Sequence, residues 1–81
     1  MARLREAGIL ASLGEIRYWL GEFERAVPVL ERALKLGDGD LAVRAQAARF
    51  LGDIELSILG DAKRAAELLD EALEAARGLG D

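Results

Sequence analysis

The stretch LGEIRYWLGEFERA at residues 13–26 returns as a near-copy, LGDIELSILGDAKRA, at residues 51–65. The separation between Gly21 and Gly60 is longer by one position than the separation between Leu13 and Leu51. The second copy therefore carries an extra residue just before its turn. We call the separation between equivalent positions of the two copies the repeat offset. For positions in the first helix of each pair it equals the separation between Leu13 and Leu51, and for positions in the second helix it equals that between Gly21 and Gly60. A period in this range, with a chain of 81 residues, is typical of a helical repeat array with two helices in each unit.

Between the glycines, apolar residues recur at helical spacing, and no window alternates as a strand does. This pattern predicts an all-α fold in a single domain, residues 1–81, built from two antiparallel helix–turn–helix hairpins. Gly37 is expected as a left-handed cap, Asp40 as the cap of the third helix, and Gly78 and Gly80 as the end of the fourth. The predicted helices span roughly residues 3–20, 22–36, 40–59 and 61–77.

Each helix is expected to bury one apolar stripe against the others. The predicted stripes are Ile9, Leu13, Ile16 and Leu20; Phe23, Ala26, Val27, Leu30, Ala33 and Leu34; Ala47, Leu51, Ile54 and Ile58; and Ala62, Ala65, Ala66, Leu69, Ala72 and Leu73.

Gly14 and Gly52 fall inside helices, where glycine costs roughly 0.5–1 kcal/mol relative to alanine. We expect these glycines to let the two helices of each hairpin approach closely. Arg17 and Glu55 hold matching positions in the two copies and carry opposite charges. They form either an ion pair between the repeats or two solvated side chains.

The composition excludes several classes of function. Without cysteine or histidine the chain has no disulfide, no thiolate metal site and no imidazole base. Its net charge is −4 and its basic residues are dispersed, so we expect no nucleic-acid partner. The apolar runs are far too short to span a membrane, and the first residues do not form a signal peptide. A cytoplasmic location is expected.

Catalytic chemistry is also not expected. Ser12, Ser57 and Tyr18 are the hydroxyl nucleophiles, and there is no histidine to activate them. The loop LGDGD lacks the spaced oxygen ligands of a calcium site, and the carboxylates Glu15 and Asp53 are expected to be solvated. The sequence therefore predicts no enzyme, no catalytic residue, no cofactor and no metal site.

The spacing Leu10-x-x-Leu13-Gly14-x-x-Arg17, followed by Gly21, Ala26-x-x-x-Leu30 and Ala33, resembles a tetratricopeptide repeat. The second copy offers Leu51-Gly52, Gly60, Ala65-x-x-x-Leu69 and Ala72. The resemblance covers about residues 7–77, with repeat 1 at about 7–40 and repeat 2 at about 41–77. Arg17 and Glu55 depart from the family pattern, which usually has an aromatic ring there, and Asp38 stands where a proline is expected. The wording LLDEALEAARGLGD also resembles the arrays of bacterial regulators of signal-transduction ATPase type.

This resemblance implies a right-handed superhelical α-solenoid whose concave face is lined by the first helix of each pair. Aromatic rings beside carboxylates would suit an amphipathic or basic peptide as partner. Alternatively, Tyr18, Trp19 and Phe50 seal contacts between helices or between chains. Mapped onto this sequence, the groove is lined by Ala11, Ser12, Glu15, Tyr18, Trp19, Arg49, Phe50, Asp53, Leu56 and Ser57.

The sequence stops at ARGLGD, where the family would begin another unit, so the last helix is expected to expose an apolar strip. The strip predicts a homodimer or larger assembly. Three functions stay open: a scaffold that binds a protein or peptide; a structural, self-associating or engineered repeat unit; and an excised sensor segment of a larger regulator. The strip residues are Leu68, Leu69, Leu73 and Ala76.

Overall fold

The computed structural model describes residues 2–80, which contain four α-helices and no strand. A π-helical segment, Glu55–Leu59, continues the third helix directly. The predicted all-α fold with two hairpins is therefore confirmed. The helices are α1 (Ala2–Trp19), α2 (Phe23–Leu36), α3 (Leu41–Ile54) and α4 (Ala62–Gly80).

Helices α1 and α2 form the first hairpin, helices α3 and α4 form the second, and α3 packs against both helices of the first. The hairpin turns match: Gly21 has a φ of +78° and Gly60 a φ of +77°. This left-handed conformation is readily adopted only by glycine. Leu30, Leu51 and Ile54 are the largest fully buried side chains, so one core joins the two repeats.

Helix ends were predicted with mixed success. Asp40 caps α3 as expected, because its Oδ1 accepts the backbone N–H groups of Ala42 at 2.9 Å and Val43 at 3.3 Å. Gly37 is not left-handed, since its φ is −102°. A Cβ at Gly37 would lie 2.5 Å from Val43 Cγ1. The glycine at this position therefore gives α3 room to approach.

Helix α4 does not end at Gly78 but runs on to Gly80. A Cβ at Gly78 would lie 2.9 Å from Leu41 Cδ1, at the start of α3. The sequence predicted a stop at this glycine, whereas in the structure it leaves space for a leucine of the neighbouring helix.

The prediction for the two glycines inside helices is confirmed. A Cβ added at Gly14 would lie 2.3 Å from Leu30 Cδ2, and one added at Gly52 would lie 2.9 Å from Leu69 Cδ2. Leu30 and Leu69 occupy equivalent places in the two repeats. Each hairpin is thus closed by the same contact, a leucine of its second helix against a glycine of its first.

The predicted buried stripe of α1 is wrong at three of its four positions, and the fourth, Leu13, is half-buried. Ile9 is 64% exposed and Ile16 is 55% exposed, and Leu20 is exposed as well. The buried side of α1 is instead the line of small residues that includes Ala7, Ala11 and Gly14. Because Gly14 must face Leu30 of α2, the helix is rotated so that the isoleucines point away from the core.

The stripe of α2 is confirmed, with Ala26, Leu30 and Ala33 buried and the rest packed against the core. In α3 the stripe is confirmed except at Ile58, which is exposed. Helix α4 differs more, since Leu68 and Ala75 are buried, whereas Leu73 is half exposed. The contact at Gly52 explains this difference, because it turns Leu68 as well as Leu69 toward α3. Leu68 therefore does not belong to the exposed strip predicted on α4.

The extra residue of the second copy is accommodated by the π-helical segment. In repeat 1 the N–H of Glu22 donates to the carbonyl of Arg17, at 2.8 Å. In repeat 2 the equivalent bond runs from the N–H of Asp61 to the carbonyl of Glu55, also at 2.8 Å, and spans one residue more. The wider π turn thus brings the chain to the same turn geometry at Gly60.

Arg17 and Glu55 do not pair with each other, and they are not simply solvated. Both alternatives predicted from the sequence are therefore wrong. Arg17 Nη1 lies 2.9 Å from Glu22 Oε1, and Arg64 Nε lies 2.9 Å from Glu55 Oε2. Each side chain finds an opposite charge inside its own repeat, just beyond the turn. These charges therefore stabilise the individual hairpins.

A second set of ion pairs joins the two helices of each hairpin. Arg32 Nη2 lies 3.2 Å from Glu6 Oε2 in repeat 1, and Arg44 Nε lies 3.4 Å from Glu71 Oε1 in repeat 2. The positions are equivalent, because the repeat offset relates Glu6 to Arg44 and Arg32 to Glu71. The charges, however, are exchanged between the two helices.

Candidate partner-binding groove

All four aromatic side chains of the protein form one cluster where α1, α2 and α3 meet. The Tyr18 ring lies at its centre, with its centroid 4.9 Å from that of Trp19, 5.7 Å from that of Phe23 and 5.0 Å from that of Phe50. Trp19 and Phe23 meet the Tyr18 ring edge-to-face, an arrangement that is favourable beyond the area it buries. The cluster fixes the first helices of the two repeats against each other.

Two carboxylates beside this cluster accept hydrogen bonds across the boundary between the repeats. Glu15 of α1 accepts hydrogen bonds from Gln46 Nε2 at 2.7 Å and from Trp19 Nε1 at 3.2 Å. In the opposite direction, the hydroxyl of Tyr18 donates to Asp53 Oδ2. Each repeat therefore supplies one carboxylate to a donor of the other, and neither carboxylate is merely solvated as the sequence predicted.

The hydrogen bond to Asp53 also raises the pKa of Tyr18 above its usual value of 10.0. Burial of the ring and the negative charge of Asp53 act in the same direction, and the nearby Arg49 guanidinium opposes them. The Tyr18 hydroxyl is therefore held in its neutral, donating form.

A groove of about 570 Å³ opens beside the cluster, between α3 and α4, with Glu15 of α1 at one edge. Its surface is mainly apolar, while Glu15, Gln46 and Arg49 supply the polar atoms. The Arg49 guanidinium lies 5.1 Å from the centre of the Phe50 ring. We call this surface the groove; its lining residues are Glu15, Ala42, Ala45, Gln46, Arg49, Phe50, Leu69, Ala72, Leu73, Ala76 and Leu79.

The structure brings six of the eight predicted partner-binding residues to the groove or its border. Glu15, Arg49 and Phe50 line it, although Phe50 is only 5% exposed and forms part of the floor. A smaller pocket adjoins it, lined by Tyr18, Trp19, Arg49, Phe50, Asp53 and Leu69.

The other predicted positions lie elsewhere. Ser12 is on the far side of α1, where it lines a separate shallow depression with Ile9 and Leu13. Leu56 is exposed on the π-helical segment, outside the groove. Ala11 is fully buried because it lies on the small-residue line of α1 that faces α2.

The lining residues that sequence reasoning did not assign to a binding surface are Ala42, Ala45, Gln46, Ala72 and Leu79. Gln46 precedes Arg49 by about one helical turn and Asp53 by about two, so helical periodicity could have placed it on the same face of α3. Leu69, Leu73 and Ala76 were predicted to mediate self-association and are now found lining the groove. The two predicted surfaces are thus largely one.

Among residues 2–80, no cluster of three carboxylate ligands suitable for a metal ion occurs. In the same range, no helix combines the length and apolar character needed to cross a bilayer.

Comparison with protein-family models matches residues 5–78 to the family described as tetratricopeptide repeat. The match includes both hairpins and all the residues of the groove except Leu79. The searches of curated proteins and of solved structures returned no match.

Proposed function

Because this chain belongs to the tetratricopeptide repeat family, we propose that it is a non-enzymatic scaffold that binds a protein or peptide in the groove. Repeats of this family generally mediate protein–protein interaction, and its members are typically not enzymes. A cytoplasmic setting is part of the proposal, on the ground that the chain has no cysteine. Recovery of the protein from the secreted fraction of cells would contradict that setting.

The observation that carries this proposal is the exposed apolar surface of α4 inside the groove. Leu73 is half exposed, Leu69 is 36% exposed, and Ala76 is exposed beside them. Contiguous apolar surface of this kind marks interaction sites. The polar atoms of Gln46 and Arg49 stand at its edge, so an amphipathic helix with one apolar side is the partner that fits best.

The polar groups that line the groove fit a binding role. Ser12 and Ser57 lie outside the groove, and the groove's own polar residues are a carboxylate, an amide and a guanidinium. Glu15 already accepts two hydrogen bonds from neighbouring side chains. It therefore helps to hold α1 and α3 together at the wall of the groove.

The proposal can be tested by selecting binding peptides from a random-peptide library displayed on phage. Burial of a leucine is worth about 1.5–3 kcal/mol, so Leu73→Glu should weaken the selected peptides about tenfold or more. Leu59→Glu is the matched control, because Leu59 is similarly exposed but lies outside the groove. Failure to enrich any peptide, or equal binding to both variants, would contradict the proposal.

A further inference from the structure

The internal repeat shows what kind of surface fills a groove of this shape. Four residues that line the groove in repeat 2 have equivalents in repeat 1, related by the repeat offset, that are fully buried. Helix α3 is packed onto that equivalent region, with Val43 Cγ1 filling the space beside Gly37 and Ala7. The groove is therefore the surface against which α3 would pack if it were shifted by one repeat along the array. The equivalent pairs are Ala45 and Ala7, Arg49 and Ala11, Leu69 and Leu30, and Ala72 and Ala33.

One side of α3 lies opposite Gly52 and therefore does not face α4. The equivalent side of α1, related by the repeat offset, is exposed. Ala47, Leu51 and Ile54 of α3 are buried, and at the equivalent positions α1 carries Ile9, Leu13 and Ile16. Ile9 and Ile16 are more than half exposed. We call Leu4, Ile9, Leu13 and Ile16 the outer face of α1; they line one shallow apolar depression.

The charges agree with this correspondence. Inside the molecule, Arg64 Nη2 of α4 reaches back to Glu31 Oε2 of α2 at 3.1 Å, across the boundary between the repeats. The repeat offset relates Arg64 to Arg25 of repeat 1, and Glu31 to Asp70 of repeat 2. Arg25 and Asp70 are both exposed, so an equivalent ion pair can form between two molecules.

We propose that a second copy of this chain occupies the groove, with its α1 outer face inserted between α3 and α4 and its Arg25 beside Asp70. This inference rests on the proposed function of the groove and identifies its occupant. The two surfaces are different patches, so the contact is head-to-tail and continues from molecule to molecule. At one end of this contact the two surfaces cannot approach as closely as α3 approaches repeat 1. In the groove, Ala76 replaces the equivalent Gly37, and on the inserted helix the larger Arg5 replaces the equivalent Val43.

Sedimentation of the 81-residue chain from micromolar to millimolar concentration tests the proposal. The mass should rise from 8.7 kDa and continue past that of a dimer. Ile9→Glu, which blocks the outer face, and Leu73→Glu, which blocks the groove, should each be monomeric. Both positions are at least half exposed, so the fold should tolerate the changes. Leu59→Glu is the control and should assemble as the wild type does.

Mixing the two blocked variants is the decisive step. Ile9→Glu keeps an intact groove and Leu73→Glu keeps an intact outer face, so the mixture should form a one-to-one dimer and nothing larger. Arg25→Glu should raise the dissociation constant a few-fold, as expected for an exposed pair, and adding Asp70→Lys should restore it.

The outcomes separate this inference from the function on which it rests. A wild-type chain that stays monomeric, or a mixture of blocked variants that does not dimerise, overturns head-to-tail assembly. If phage-selected peptides still depend on Leu73 in that case, the groove keeps its proposed function with a different occupant. If they do not, both proposals fail.

Discussion

Gly14 and Gly52 determine how closely the helices of each hairpin approach, but the leucines they face differ in freedom. Leu30 is fully buried against Gly14, whereas Leu69, against Gly52, is partly exposed beside the groove. A methyl group added at the first glycine must displace a packed side chain. The same group at the second can push its leucine toward solvent.

We expect Gly14→Ala to lower the free energy of unfolding by about 1–3 kcal/mol, because overpacking outweighs the gain in helix propensity. Gly52→Ala should change it less. Gly8→Ala is the matched control in α1, since a Cβ there meets nothing within 4 Å, and it should stabilise by about 0.5–1 kcal/mol. Urea denaturation at low protein concentration measures all three. Equal stability of Gly14→Ala and Gly8→Ala would contradict the close contact.

Tyr18 should make the stability depend on alkaline pH. Its pKa is higher in the folded protein than the ordinary value of 10.0, so the folded state holds the proton more tightly. The resulting stabilisation is present below about pH 10 and is lost as the pH rises through the folded-state pKa.

Asp53→Asn should bring the pKa of Tyr18 down toward its ordinary value, because the bond to the carboxylate is the largest cause of the shift. The protein has a single tyrosine, so its ultraviolet absorbance reports the titration directly. Circular dichroism at each pH must show that the chain is still folded. A pKa that is identical in both proteins would show that the hydrogen bond does not control Tyr18.

At the level of the helix, α1 shows that the sequence predicts the presence of a helix but not which of its sides is buried. Ile9, Leu13 and Ile16 form one helical line, and Ala7, Ala11 and Gly14 form another. Both lines have the period of a helix, so periodicity predicts the element but does not decide which line is buried. Contact with Leu30 of α2 makes that choice. By contrast, Asp40 was predictable because capping is a local property. The left-handed conformation was predicted for Gly37 but is found at Gly21 and Gly60.

The extra residue of repeat 2 was visible in the sequence as a change of offset, although its form was not. A one-residue insertion can lengthen a loop or widen a helix turn. Here the helix widens, because the turn at Gly60 is held in place by Asp61 and by the pair of Glu55 with Arg64. Residues Leu56–Leu59 are exposed as a result.

Deletion of Ser57 should convert the π-helical segment to an ordinary helical turn. The sequence ELILG would then align with RYWLG of repeat 1 without an offset. Because Ser57 is exposed and the turn glycine is kept, we expect the variant to fold with a melting temperature equal to or above that of the wild type. Deletion of Ala48, which is buried in the middle of α3, is the control and should unfold the chain. Unfolding by both deletions would mean that the π turn is required.

At the scale of the whole molecule, both repeats depend on one core. Leu30 of repeat 1 belongs to the same buried cluster as Leu51 and Ile54 of repeat 2. Repeat proteins are stabilised largely by such contacts between neighbours. Neither hairpin is therefore expected to be stable alone.

Leu30→Ala should cost about 2–5 kcal/mol and destabilise both repeats together. Fluorescence of Trp19, the protein's single tryptophan, reports on repeat 1, and far-ultraviolet circular dichroism reports on all four helices. The two signals should follow the same unfolding curve in the wild type and in the variant. Loss of the fluorescence signal while half of the helical signal persists would contradict a shared core. Leu79→Ala, at an exposed site on α4, should leave both curves unchanged.

The candidate site was predicted in part. The repeat resemblance located Glu15, Trp19, Arg49 and Asp53, because they follow the period of the first helices. It could not show that α4 supplies the other wall. Among residues 2–80, no further helix covers Leu69 and Leu73, so these side chains form a wall of the groove. Which side chains are left uncovered depends on how the helices pack together in the folded protein.

The exchanged ion pairs of the two hairpins bear on how the chain avoids mispairing as it folds. Two near-identical hairpins could trade their second helices, since α2 and α4 present similar faces. In such a trade Glu6 would meet Glu71, and Arg32 would meet Arg44, so that both contacts repel. Each exposed pair is worth only ~0–1 kcal/mol, but the wrong combination replaces two attractions by two repulsions. The exchange of charges between the two hairpins therefore favours the pairing of each first helix with its own second helix.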